Sequence, residues 1–386
     1  MRPIGGLVIG YTGDKHGRKE ALTQSLFIMA IPTMCMGFLP TYERAGWWSV
    51  TLLIICRLLQ GVSVGGQLPA SLLYTVEKRD PSQWGYYGSL PMVAANLGTL
   101  LGNVFGALLR QVLTEEQLRT FGWRIPFISG ILIALVAFYI KRYGVDVHIN
   151  ANVYDHKDSK VTNPIVVAFS KDNRLALFSN ALAPMLSSAG FYVTFVWMAI
   201  YMQDLLQPPI HGAFWVNACS MLLGKVLMLP LAGHISDRIG HRKTMTFAIL
   251  VLSVTGPIMV FLIGKGNSIL AFFAQLELGI CLSFVGAPLC AWMADSFPAE
   301  VRLTSASVGY DLAAAIAGGF SPALATALFD KYGGYSPGLI YSVFGVISLL
   351  GIYLTSCCGG GSRIESDKDL ESLTNPASNL GLPSIS

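Results

Sequence analysis

The sequence predicts an all-α, polytopic membrane protein that crosses a bilayer about eleven times. Two observations carry that prediction. Of the 386 residues, 53% are hydrophobic and only 12% are charged, with a mean hydropathy of +0.55, whereas soluble domains carry roughly 25% charged residues. So few charges cannot cover a water-facing surface on a chain this long, and soluble cores split into domains at roughly 250–300 residues. The surplus apolar surface must face lipid. The second observation is segment length. A hydrocarbon core about 30 Å thick takes roughly 20 apolar residues of helix, and the apolar runs recur at that length.

Ten full-length runs lie near 20–40, 49–76, 86–112, 123–142, 174–201, 212–233, 244–264, 268–294, 304–328 and 336–357. A shorter apolar piece, Pro3 to Tyr11, stands before them and reads as the end of an eleventh helix. It has neither a basic n-region nor a cleavage site, so no signal peptide is expected.

Alternating these helices groups the loops 12–19, 77–85, 142–173, 234–243, 295–303 and the C-terminal tail on one side, with 17 lysines and arginines. The opposite loops and their margins hold 6. Short cytoplasmic loops carry the basic excess, which assigns the first set to the cytoplasm; the plasma membrane is the expected location, though loop charge does not select it. The domain reading is an incomplete N-terminal bundle over 1–142, a cytoplasmic linker over 143–173, a C-terminal bundle over 174–357 and a disordered tail over 358–386. The tail opens with Gly359, Gly360, Gly361 and Ser362 and has no apolar period.

Several function classes are disfavoured. The net charge of +4 is small and the basic residues sit in short loops, so no nucleic-acid partner is expected. The seven cysteines lie mostly in apolar runs without metal-ligand spacing. Cys357 and Cys358 end the last run and read as interfacial thiols, with palmitoylation the competing reading. The six histidines occupy loops or helix margins, and no nucleophile with a base is visible, so the chain does not read as an enzyme. No cofactor is expected. The expected partners are a small-molecule substrate, protons and the lipid bilayer, with a monomeric chain.

One pattern occurs twice. Residues Gly10 to Lys19, with Asp14, Lys15, Gly17 and Arg18, and residues Gly233 to Lys243, with Asp237, Arg238, Gly240 and Arg242, both fit G-x-x-x-D-[KR]-x-G. A basic pair follows each. Internal repetition is an architectural signal, and repeated halves build many transporters. The glycines permit close helix contact and a tight turn. The aspartate is expected to meet the unpaired N–H groups of the helix that follows it.

Here the chain resembles the major facilitator superfamily, whose signature loop this is, and more closely its metabolite:proton symporter branch. The resemblance extends through Arg2-Pro3-Ile4-Gly5-Gly6, Arg57 to Gly66, Gly122 to Phe127, Asp295 to Arg302 and Ser307 to Asp311. It implies two helix bundles around a central cavity, working by alternating access, and carriers of proline and betaine, shikimate, α-ketoglutarate or citrate. It implies twelve helices, and so a chain without the first helix and most of the second. Relatives usually carry a glutamate where this chain has Gln67, which weighs against proton coupling there.

Charges at bilayer depth are functional hypotheses by default. Arg57 belongs to the motif that the resemblance links to proton transfer. Lys225 sits mid-helix among leucine, methionine and valine, where it can hold a substrate anion. Asp311 and Glu277 are the acids inside apolar runs; burial penalises the charged form of a carboxylate, which suits proton loading. Either acid can instead be a structural partner of Arg57 or Lys225. Gln67, Asn96 and Tyr192 are cavity candidates, with Asn103, Trp197, Tyr201, Trp215 and Asn217 as further aromatic and amide candidates. Gly98, Gly102 and Gly106 line one face, suited to tight packing. The sequence thus reads as a secondary transporter of a small carboxylate or zwitterion, by proton symport. A uniporter or exchanger of the same fold and a non-transporting membrane sensor are the competing readings.

Overall fold

The computed structural model describes residues 1–144, 164–299 and 301–354, apart from the side chain of Asp172. Most of the expected linker and the whole expected tail, with Cys357 and Cys358, lie outside the described residues.

Eleven long helices lie among the described residues: α1 (Arg2–His16), α2 (Arg18–Gly37), α3 (Trp47–Val76) and α4 (Pro81–Val112). They continue with α5 (Gly122–Tyr143), α6 (Asn173–Leu205), α7 (Ala213–Ile239) and α8 (His241–Ile263). The last three are α9 (Ser268–Asp295), α10 (Arg302–Tyr332) and α11 (Ser336–Leu354). No strand occurs among the described residues. Nine of these helices, α3 to α11, are long and apolar enough to cross a membrane. The tenth expected span is α2, which is helical over 20 residues but spends its first turn on Arg18, Lys19 and Glu20. Large apolar side chains such as Leu101, Leu135, Phe247, Val254, Phe320 and Leu350 stand exposed on the outer surface, where lipid covers them.

The signature glycines make the expected turns. Gly17 joins α1 to α2 at φ 102° and Gly240 joins α7 to α8 at φ 105°, a region an L side chain rarely adopts. Asn267 caps α9, its side-chain oxygen accepting from the N–H groups of Ile269 (2.9 Å) and Leu270 (3.2 Å).

Helices α1–α5 form one bundle and α6–α11 the other, meeting where α1 lies on α10 and where α4 lies on α7 and α9. Small residues set these distances. Gly5 on α1 lies against the backbone of Val62, and Gly65 on α3 against that of Arg2, so a side chain at either would push α1 from α3. The main buried cluster belongs to α6–α11, and α4 buries only five residues, two of them glycines. The stripe Gly98, Gly102 and Gly106 packs against nothing: a Cβ at each would meet open space. Its spacing does place the three on one face, but spacing does not say what covers that face.

Three helices of the second bundle carry π turns, at Tyr192–Trp197 and Tyr201–Leu205 in α6, Leu222–Val226 in α7 and Ala314–Gly318 in α10. Such turns are frequent at functional sites, and one residue of each but the second, Tyr192, Lys225 and Ala314, lines the cavity described next.

Candidate functional site

A cavity of 620 Å³ lies between the two bundles. α1, α3 and α4 contribute Arg2, Gln67 and Asn96, while α6, α7 and α10 contribute Tyr192, Lys225 and Tyr310. Asn96 donates to the Met92 carbonyl at 2.6 Å, and its own oxygen is buried without a partner. The Lys225 ammonium is buried and donates to the Leu282 carbonyl at 2.9 Å. No aspartate or glutamate stands among the cavity-lining residues described. The wall thus offers one cation from each bundle and no fixed anion.

The structure brings Gln67, Asn96, Tyr192 and Lys225 to this cavity and leaves the other intramembrane candidates elsewhere. Arg57 is exposed on α3 and donates to Gln60 at 3.3 Å. Glu277 lies between α8 and α9, accepting from the Thr255 hydroxyl at 2.8 Å and the Cys281 thiol at 3.3 Å. Neither acid pairs with Arg57 or Lys225; Asp311 faces Arg2 instead. Trp197 and Tyr201 stack in the core of the second bundle, Asn217 joins a buried network with Gln275, and Trp215 and Asn103 are exposed. The register of a run fixes which residues share a face, but the rotation of the helix in its bundle decides where that face looks.

Each of the two signature loops reaches a helix of the other bundle. The Asp14 carboxylate accepts from the backbone N–H of Leu303 (3.1 Å) and Thr304 (2.8 Å) and from the Thr304 hydroxyl (2.6 Å). It therefore caps α10, in the other bundle, and not the helix that follows it. Asp237 does the reciprocal thing, accepting from Gly85 N–H (2.7 Å) and Tyr86 N–H (2.9 Å) at the start of α4. The local expectation was half right: the acid meets a helix N-terminus, with its positive dipole end, but across the bundle interface. Gly10 and Gly233 make this approach possible, because a Cβ at the first would strike Thr304 and at the second Gly85 and Tyr86.

Charge adds to the Asp14 cap. The fully buried Arg18 reaches Asp14 (2.5 Å) and Glu77 (3.0 Å) and donates to the carbonyls of Gly13 and Ala299. Glu77 also takes Arg302 at 3.3 Å, so two arginines from different bundles share one carboxylate. In the second loop the place after the turn glycine holds His241, 3.9 Å from Asp237. Arg238 is exposed and Arg242 half-buried. Arg2 and Glu77 do not stand out in the sequence, because charges at helix ends are usually solvated; Arg2 opens the Arg2-Pro3-Ile4-Gly5-Gly6 motif, which is the one signal available.

A central cavity between two helix bundles that are joined by reciprocal helix caps defines a membrane transporter of the two-bundle class. The model of the Major Facilitator Superfamily matches residues 3–223 and 181–371. The chain belongs to that superfamily, in its metabolite:proton symporter branch. It is 31% identical over 368 residues to the inner membrane metabolite transport protein YhjE of Escherichia coli (strain K12), covering 92% of this chain and 81% of that one. It is 28% identical to a putative proline/betaine transporter of Staphylococcus aureus (strain COL), over 95% of this chain and 78% of the relative. It is also 28% identical to the citrate-proton symporter of Klebsiella pneumoniae, over 91% and 78%. Among solved structures the proton:xylose symporter XylE shares the fold, with a TM-score of 0.68 at 17% identity over 91% of this chain and 83% of that one.

Proposed function

We propose that this transporter moves a small carboxylate or zwitterionic metabolite by proton symport with alternating access. One observation carries the substrate class: Arg2 and Lys225 face one cavity from opposite bundles, and no acid lines it. A carboxylate held by both would draw the bundles together, which is the motion alternating access requires. A zwitterion's cationic end has the ring faces of Tyr192 and Phe191. The relatives named for proline/betaine and for citrate with protons support both the class and the coupling.

The basic-loop bias supports a cytoplasmic signature end and a bundle boundary within 143–173, and the plasma membrane is the proposed location. On that orientation the present state is closed to the cytoplasm. Gln67 on the wall favours a second reading, substrate exchange without protons. Uptake of labelled 2-oxoglutarate and labelled proline into proteoliposomes, with and without an imposed pH gradient, separates the two. Gradient-driven accumulation of either compound is the expected result. Uptake indifferent to the gradient removes symport, and no uptake of either removes the substrate class.

A further inference from the structure

The two cations of the cavity are held differently. Lys225 is satisfied by a backbone carbonyl, whereas Arg2 stands between the cavity and a buried acid. Its side chain is 24% exposed, and its Nε lies 3.8 Å from Oδ1 of Asp311, which is fully buried. At that distance the pair is ionic without a hydrogen bond: Arg2 Nε and both Asp311 oxygens have no hydrogen-bond partner. Gly6 brings α1 this close, since a Cβ there would stand 2.6 Å from Oδ2. The charged and titratable groups around Asp311 are Arg2 and the amino group of Met1 on α1 and Tyr310 beside it, with Tyr192 on α6 and Cys290 on α9 flanking Tyr310.

The geometry points to Arg2 as a cation shared between Asp311 and the substrate carboxylate, so that a proton on Asp311 frees Arg2 to bind the anion. This rests on the carboxylate-transport reading above. The step balances: a proton adds to one Asp311 oxygen as one carboxylate takes up the guanidinium, so a monocarboxylate leaves the net charge of the site unchanged and the second carboxylate of a dianion adds one negative charge beside Lys225. Release reverses both events. A guanidinium offers five N–H donors in a fork that fits a carboxylate, and Arg2 can therefore turn to the cavity without leaving its helix end. Linkage makes the effect reciprocal, so the anion favours the proton by the same factor as the proton favours the anion. Coupling by this route needs no acid on the cavity wall, where position 67 is glutamine.

The probe is 2-oxoglutarate, added to purified protein in lightly buffered detergent solution with a pH-sensitive dye. Wild type is expected to take up as much as about one proton per ligand bound, and its affinity to weaken as much as about tenfold per pH unit, once the pH is high enough for Asp311 to be ionised in the empty protein. Asp311→Asn is expected to take up no proton and to bind with an affinity that no longer varies with pH. Arg2→Gln is expected to lose tenfold or more in affinity. The double variant Arg2→Gln/Asp311→Asn, which buries no charge, is expected to fold and still bind weakly. Binding by wild type without proton uptake overturns the inference, as does a pH dependence unchanged in Asp311→Asn or an affinity unchanged in Arg2→Gln. If wild type transports proline and not 2-oxoglutarate, the same measurements are made with proline; if it transports neither, the transport reading itself fails and this inference falls with it.

Discussion

The Asp14 carboxylate of one bundle holds both the N–H and the hydroxyl of Thr304 in the other, at 2.8 and 2.6 Å. Asp237 repeats the arrangement in reverse against Gly85 and Tyr86. Two copies of one short motif thus tie the two bundles together by the same physics, a carboxylate on the N-terminus of a facing helix. Each cap links the bundles only in this state, so weakening it shifts population toward the state open at the signature end.

Replacing that acid tests the idea. Asp14→Asn keeps the shape but removes the charge, a loss of about 1 kcal/mol for a helix cap. The expected result is faster alkylation, from the signature side, of a cysteine placed at Ser71 on the cavity wall. An unchanged alkylation rate would show that the cap does not control access.

Glu77 is the more consequential partner, because Arg18 and Arg302 both depend on it. Removing one partner of a buried ionic cluster costs about 3–5 kcal/mol. Glu77→Ala is therefore expected to lower the thermal unfolding midpoint in detergent clearly more than Asp237→Asn, whose histidine neighbour lies 3.9 Å away. Equal midpoints for the two variants would contradict the asymmetry.

Gly85 tests the interface sterically. A Cβ there would stand 2.7 Å from the Gly233 carbonyl oxygen and crowd the Asp237 carboxylate. Gly85→Val is expected to separate α4 from α7, raising signature-side alkylation above that of Asp14→Asn. Gly102→Val, on a face that meets nothing within 4 Å, is the control expected to leave alkylation unchanged.

Lys225 separates stability from binding. Its ammonium is buried with a carbonyl acceptor and no carboxylate partner, and apolar replacement of a buried charge is often neutral or stabilising. Lys225→Met is expected to hold or raise the unfolding midpoint while 2-oxoglutarate uptake falls tenfold or more. A parallel fall in both would make Lys225 a structural residue.

The class of the protein was legible because it depends on bulk composition. Too few charges for water and apolar runs of bilayer length act through the chain's own segments, whatever their neighbours. The duplicated loop was legible for the same reason, and the positive φ of Gly17 and Gly240 follows from local turn chemistry. The cavity was legible in part. Gln67, Asn96, Tyr192 and Lys225 face it, whereas Arg57 and Glu277 look elsewhere and Arg2 and Tyr310 enter unannounced.

What the chain's own order determined was membrane residence, the run of helices and the kinship of the two signature loops. What only the packing of the bundles decided was partnership: Asp14 with Thr304, Arg18 with Glu77, Arg2 with Asp311. Hydrophobicity and helix propensity are properties of a segment, while an ion pair depends on how two helices are rotated and how closely their glycines let them approach. Those rotations are settled by contacts between residues as far apart in sequence as Asp14 and Thr304, and no local pattern encodes them.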